Sequence, residues 1–192
     1  MPRLILASSS PYRRTLLERL GLPFAWAAPA IDEAPQRGET AGQLTQRLAL
    51  SKARALAGRF PEHLIIGSDQ VLLLDGQPVS KPGHHVAAFE QLSRCSGRTL
   101  RVSTGLCLLN SATGHYQLAC EPFDVSFREL DSDSIERYLR REQPYDCAGS
   151  FKAEGLGISL FRALNGDDPN SLIGLPLIRL CEMLRKENVQ LP

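Results

Sequence analysis

The chain has 192 residues, 43% hydrophobic and 22% charged, which is ordinary globular usage and excludes a disordered chain with too little apolar surface to offset its ordering entropy. Its 22 Lys and Arg face 21 Asp and Glu, a net charge of +1, so the basic excess expected of a dedicated nucleic-acid binder is missing, while a small phosphorylated ligand needs only a few convergent cations. No apolar run approaches the ~18 residues of a membrane span, and the stub at residues 4–7 is too short for a signal segment. The five cysteines are odd in number and widely spaced, with no C-x-x-C, so they read as small buried hydrophobes in a reducing compartment. A soluble cytoplasmic protein is expected, with neither a nucleic acid nor a membrane as partner.

In chain order, the apolar residues 4–7 predict a strand that runs into Ser8-Ser9-Ser10-Pro11, with Ser10 as N-cap and Pro11 at the first position of a helix. Leu16, Leu17 and Leu20 share one face of that helix, and Gly21 suits its terminator. Residues 24–28 suggest a second strand, and residues 40–59 the longest helix, with Leu44, Leu48, Ala49, Ala53, Leu56 and Ala57 in one stripe. Residues 64–67 and 71–74 predict two further strands, the second closed by the turn signal Asp75-Gly76. A helix over 84–95, a strand over 100–109, a hairpin at 110–114 and a strand over 116–127 follow. Residues 132–141 predict a helix with acidic residues at its start, 155–161 a strand, and 176–187 a closing helix beginning at Pro176. No linker or repeat interrupts the series, and the class is mixed α/β in a single domain, 1–192.

Three places suit chemistry on physical grounds. The Ser8–Arg14 segment joins a strand end to a helix start, where backbone N–H groups and adjacent arginines favour an anion; the plain alternative is a serine-rich cap with two surface arginines. Asp69, in Gly67-Ser68-Asp69-Gln70, follows a buried apolar run and is placed either to hold a metal or activate water, or to cap the next turn. Asp32-Glu33 reads as a solvated acidic loop unless a divalent ion needs a second carboxylate. Lys52 and Lys81 read singly as ordinary surface lysines, and His84-His85 as exposed at a helix start.

Taken together and in order, S-x-S-P-x-R, D-E, a helical Lys, G-S-D, K-P, A-G-S-F-K-x-E-G and G-L-P resemble the Maf family of nucleotide pyrophosphatases, over residues 4 to about 184. The resemblance implies a curved mixed α/β sheet with two lobes around a central cleft, related to the inosine triphosphatase fold. It also implies a divalent metal cation, Mg²⁺ or Mn²⁺, as cofactor, a small nucleotide as substrate, and the homodimer common among such proteins. Residue by residue, it gives Ser8, Arg13, Lys52 and Lys81 to phosphate binding, Glu33 to the metal, and Asp69 to catalysis as base, metal ligand or both.

Three departures bear on the substrate. Tyr12 replaces the first Arg of S-P-R-R, Gln70 the Thr of G-A-D-T, and Glu154 the Gln of I-Q-G. This set resembles the branch acting on 7-methylguanosine triphosphate. The chemistry agrees: N7-methylation makes the base cationic, an aromatic face attracts it by about 0.5–2 kcal/mol, and a carboxylate accepts from guanine N1–H and its amine. The competing expectations are a house-cleaning pyrophosphatase for other modified or non-canonical nucleotides and a nucleotide-binding regulator of cell division that does not hydrolyse its ligand.

Overall fold

The computed structural model describes residues 3–192. Seven strands form one open mixed sheet: β1 (Arg3–Ala7), β2 (Phe24–Ala27), β3 (His63–Leu74), β4 (Gln77–Pro78), β5 (Thr99–Asn110), β6 (Tyr116–Phe127) and β7 (Phe161–Asn165). The strand order is β2-β1-β3-β5-β6-β7, with β4 paired to β3. Among the described residues six α-helices accompany it: α1 (Pro11–Glu18), α2 (Ala41–Ala57), α3 (His85–Cys95), α4 (Ser132–Glu142), α5 (Pro169–Ile173) and α6 (Leu177–Lys186). The chain divides into two compact units, the first made of residues up to Gln70, Ser103–Glu121 and Asp168–Pro192, the second of Val71–Val102 and Pro122–Asp167.

In the first unit β1 pairs in parallel with both β2 and β3. A strand buried on both faces reads as an unbroken apolar run, which is why residues 4–7 show no alternation. The period of two then sorts the side chains. Leu4, Leu6, Leu64, Ile66, Leu106 and Leu108 pack with α1 and α6, whereas Ile5, Ala7, Ile65, Cys107 and Leu109 pack with Ala49, Ala53 and Leu56 of α2. Two glycines let α2 lie close on the second face. A Cβ on Gly67 would overlap the carbonyl of Ala49, and one on Gly105 the carbonyl of Thr45. Helix α2 starts in a capping box, Thr40 and Gln43 each bonding the other's backbone amide.

In the second unit, Phe127, Phe151 and Phe161 meet edge to face, with ring centroids 5.2–5.8 Å apart. The turn Asp75-Gly76 closes the β3–β4 pairing as expected. Among the described residues no helix is long and apolar enough to cross a membrane.

Several expectations are corrected. The two strands anticipated at 64–67 and 71–74 are one continuous strand, β3, because Ser68 and Gln70 spend their polar groups on partners within the first unit instead of breaking the ladder. Residues 155–161 do not form a strand. Leu156–Leu160 is a 3-10 helix, and the strand is β7, which begins at Phe161 and pairs antiparallel with β6. Helix α5 was not anticipated, although Asp168-Pro169 is an N-cap followed by proline at the first position. Pro176 is the N-cap of α6 rather than its first residue. None of the five cysteines is in a disulfide; burial pushes Cys95 to about 11 and Cys107 to about 12, so both are inert thiols.

Candidate active site

Beyond β1 the chain turns into α1 through three serines. The buried Ser8 hydroxyl accepts from the Ser10 amide at 3.1 Å, and the Ser10 hydroxyl accepts from the Arg13 amide at 3.4 Å, as an N-cap does. Tyr12 and Arg13 therefore occupy the first turn of α1, both half-buried. The Arg13 guanidinium donates from Nε to the Gly174 carbonyl at 2.8 Å. Burial lowers its pKa from the ordinary value, while Asp69 and Glu33, both near enough to act on it, oppose that shift. Arginine starts so far above neutrality that it stays charged.

The G-S-D-Q stretch is divided between the two faces of the sheet. Parallel pairing of β1 with β3 ends at Ala7 opposite Gly67, so Asp69 lies just past the point where β1 leaves the ladder. Side chains alternate from there. Asp69 shares the face of Ile65 and Gly67 and meets α2, where Lys52 donates from Nζ to its Oδ1 at 2.6 Å. Lys52 is also 2.8 Å from Glu33 Oε1. The lysine and Asp69 are buried, with side chains 9% and 11% exposed, whereas Glu33 is 60% exposed. Lys52 is thus no surface lysine. The close seating of α2 on Gly67 and Gly105 brings its ammonium to a buried carboxylate.

Ser68 and Gln70 point to the other face. The Ser68 hydroxyl lies 2.9 Å from both the Gly105 and Gly174 carbonyls. Gln70 Nε2 lies 2.7 Å from the Ser171 carbonyl, 3.0 Å from Thr104 Oγ1 and 3.2 Å from the Leu172 carbonyl. Thr104 donates to the Ser171 carbonyl at 2.8 Å. These side chains fix the connection from α5 to α6, and the Gly174 carbonyl in that connection holds Arg13. Asp168 anchors its two ends, accepting from Asn170 N at 2.9 Å and Ile178 N at 2.6 Å. Sequence reasoning gave no role to Ser68 and Gly174, although the G-S-D and G-L-P motifs contain them, and missed Thr104 and Asp168, for which the Asp-Pro cap signal at 168–169 was the one clue.

The acidic loop is also held. Arg47 donates to Glu39 at 2.6 and 2.9 Å and to the Ala34 carbonyl at 3.0 Å, and Asp32 accepts from Ala34 N at 2.9 Å. Glu33 lies between these anchors. Among the described residues no three His, Cys, Asp or Glu side chains converge as a metal site. Two carboxylates do face one another across Lys52, and this donor set suits a hard divalent cation that takes its remaining oxygens from water and substrate phosphates.

Structure thus joins Glu33, Lys52 and Asp69 by ion pairs, with Arg13 near enough to feel both carboxylates, while Ser8, Tyr12 and Gln70 belong to the same unit, Gln70 on the other face of β3. Lys81 and Glu154 belong to the second. Lys81 is exposed between β4 and α3, with no salt-bridge partner among the described residues, and Glu154 is exposed in the turn before the Leu156–Leu160 3-10 helix. The adjacent histidines also differ from expectation. His84 is exposed and caps α3, but His85 is half-buried, with Nδ1 3.0 Å from the Tyr145 hydroxyl and Nε2 2.9 Å from Glu136.

Parallel strands packed between helices, with a buried Lys52–Asp69 pair just past the point where β1 leaves β3, define an α/β protein with a preformed charged site. The chain belongs to the Maf-like protein family, whose pattern it matches over residues 3–187. It is 62% identical over 192 residues, the full length of both chains, to a protein of Pseudomonas savastanoi pv. phaseolicola named 7-methyl-GTP pyrophosphatase. A protein of the same name from Pseudomonas aeruginosa is 59% identical, again over the whole of both chains. Among solved structures, the Staphylococcus aureus Ham1 protein superposes with a TM-score of 0.52 at 12% identity, covering 96% of this chain and 99% of that one, which shows a shared fold.

Proposed function

We propose that the chain hydrolyses the α–β phosphoanhydride of 7-methyl-GTP, giving 7-methyl-GMP and diphosphate. The observation that carries this reading is the buried Lys52–Asp69 pair with Glu33 and Arg13 beside it, in a chain 59–62% identical along its length to proteins of that name. Splitting a phosphoanhydride needs charge neutralisation and a positioned water more than covalent participation. Lys52 fixes one oxygen of Asp69, leaving the other to accept a proton from the attacking water. Arg13, Lys52 and Lys81 stabilise the charge that gathers on the leaving diphosphate, and Ser8 orients a phosphate oxygen at the start of α1. Asp69 and Glu33 would hold a divalent cation, Mg²⁺ or Mn²⁺, which supplies further neutralisation at the phosphates when bound.

Substrate choice rests on Tyr12, Glu154 and Gln70. Tyr12 offers an aromatic face to the cationic base, and Glu154 offers acceptors to guanine N1–H and the exocyclic amine. Gln70 contributes differently. Its amide protons are committed to main-chain carbonyls, so it acts on specificity through the placement of the last turn of α5 and of Gly174 after it.

The test is diphosphate release from 7-methyl-GTP, GTP, dTTP, UTP and ITP, with Mg²⁺, Mn²⁺ or chelator, beside Asp69→Asn. The expected result is fastest release from 7-methyl-GTP, loss with chelator, and a drop of about 10²–10⁴-fold in the folded variant. Preference for ITP would point to the house-cleaning alternative, and binding without turnover to a regulator. Near-normal turnover by folded Asp69→Asn would remove Asp69 from catalysis.

A further inference from the structure

The A-G-S-F-K stretch at residues 148–152 helps carry the family resemblance, yet none of its residues enters the chemistry above. Its geometry is unusual. Ser150 is fully buried at φ 61°, a left-handed conformation that is costly for a non-glycine residue. Gly149 before it has φ 77°, and a Cβ there would come within 2.8 Å of the Phe151 ring and 3.1 Å of Leu72. Strain of this kind persists where surrounding contacts demand it. Here the contact is the Ser150 hydroxyl, which donates to Gln91 Oε1 on α3 at 2.6 Å.

Gln91 passes the contact on. Its Nε2 donates to the carbonyl of Ser80 at 2.9 Å, one residue before Lys81. On either side of the same segment, the Val79 amide donates to the Leu72 carbonyl at 2.8 Å and the Gly83 amide to the Tyr145 carbonyl at 2.9 Å, and Pro82 is buried. The backbone that carries Lys81 is therefore held, while its side chain is exposed and enters no salt bridge among the described residues. A lysine is a point charge on a flexible stem, so the place of its backbone decides where its ammonium can reach. The relay needs an acceptor and a donor on one side chain: glutamine supplies both, glutamate lacks the donor and leucine lacks both.

We propose that Gln91, oriented by Ser150, is a positioning residue that fixes the Ser80–Lys81 backbone and so sets Lys81 for phosphate binding. This rests on the reading of Lys81 as a phosphate-handling cation. A double-mutant cycle on the full chain tests it, with kcat/KM for the preferred triphosphate measured for wild type, Gln91→Leu, Lys81→Ala and the pair. Gln91→Leu is expected to lower kcat/KM about tenfold in the wild-type background and by less than about twofold once Lys81 is gone. Gln91→Glu should follow Gln91→Leu, because it keeps the partner of Ser150 but cannot donate to Ser80. Equal losses in both backgrounds would overturn the proposal, since Gln91 would then act independently of Lys81. An unchanged kcat/KM in Lys81→Ala would sink the reading of Lys81 and the positioning role with it, whereas additivity sinks the positioning role alone. Should Gln91→Leu not fold, Ser150→Ala removes only the hydroxyl and must show the same dependence on Lys81.

Discussion

The charged groups of the first unit and those of the second are held in opposite ways. Lys52 and Asp69 are buried and bonded to each other, and Arg13 is tied to the Gly174 carbonyl, so their places are set before any ligand arrives. Lys81 and Glu154 are exposed, and what is fixed is the backbone around them rather than the charged groups. Buried, preorganised charge serves the step in which charge moves, because it costs no reorganisation at that moment. Exposed charge has no partner built in, and the ligand supplies it. The two sets should therefore fail differently when mutated, the first in both stability and turnover, the second in turnover or substrate preference with stability little changed.

Lys52→Met should show the largest effect. It leaves Asp69 buried beside a methionine, and breaking a buried pair from one side costs about 3–5 kcal/mol. Chemical denaturation should register that loss alongside abolished turnover. A variant as stable as wild type would mean that Asp69 is better solvated than its burial suggests, and would break the comparison. Gly67→Ala should come next, at about 1–3 kcal/mol, because its Cβ meets the Ala49 backbone rather than a flexible side chain. Its turnover should fall further than its stability alone explains, since moving α2 outward draws Lys52 away from Asp69.

Glu154→Gln is the opposite case. Thermal stability should stay within about 0.5 kcal/mol, as for most exposed positions. The ratio of kcat/KM for 7-methyl-GTP over GTP should fall about tenfold, the loss of one charge-assisted contact to a cationic base. An unchanged ratio would take Glu154 out of base recognition and leave Tyr12 to carry it.

Legibility in the sequence followed the same division. The strand at β1, the N-cap of α1 and the acidic start of α4 were readable because each is local: an apolar run, a Ser after it, a Pro at the right offset; the capping box of α2 is as local but was not anticipated. Lys52 was unreadable alone, because its burial depends on Gly67 and Gly105 lying under α2, and both glycines come from other elements. The G-S-D-Q stretch was read as a strand end because four small or polar residues in a row suggest a turn. They remain in a strand because partners on α2, β5 and the α5–α6 connection satisfy them on both faces. The motif order supplied the candidate residues, but the alternation of the strand was needed to separate Asp69, facing Lys52, from Gln70, facing main-chain carbonyls.

Glu33 falls between the two regimes, and the loop that carries it gives the smallest effect. It is exposed like the residues of the second unit, but Arg47 ties its loop down through Glu39 and the Ala34 carbonyl. The hydrogen bond from Arg47, followed by that from the Gln36 amide, lowers Glu39 from 4.5 to about 2. A carboxylate depressed on folding contributes stability that is fully present above about pH 4.5 and is lost as pH falls through about 2, because the unfolded chain takes up the proton first. Glu39→Gln should therefore melt slightly below wild type at neutral pH, and the two melting curves should converge between pH 4.5 and 2. If the loop matters to the metal through Glu33, the same variant should need more Mg²⁺ for half-maximal turnover at neutral pH while its kcat at saturating metal stays close to wild type. A matching fall in kcat with no change in the metal requirement would mean that Arg47 and Glu39 support α2, and through it Lys52, rather than the acidic loop.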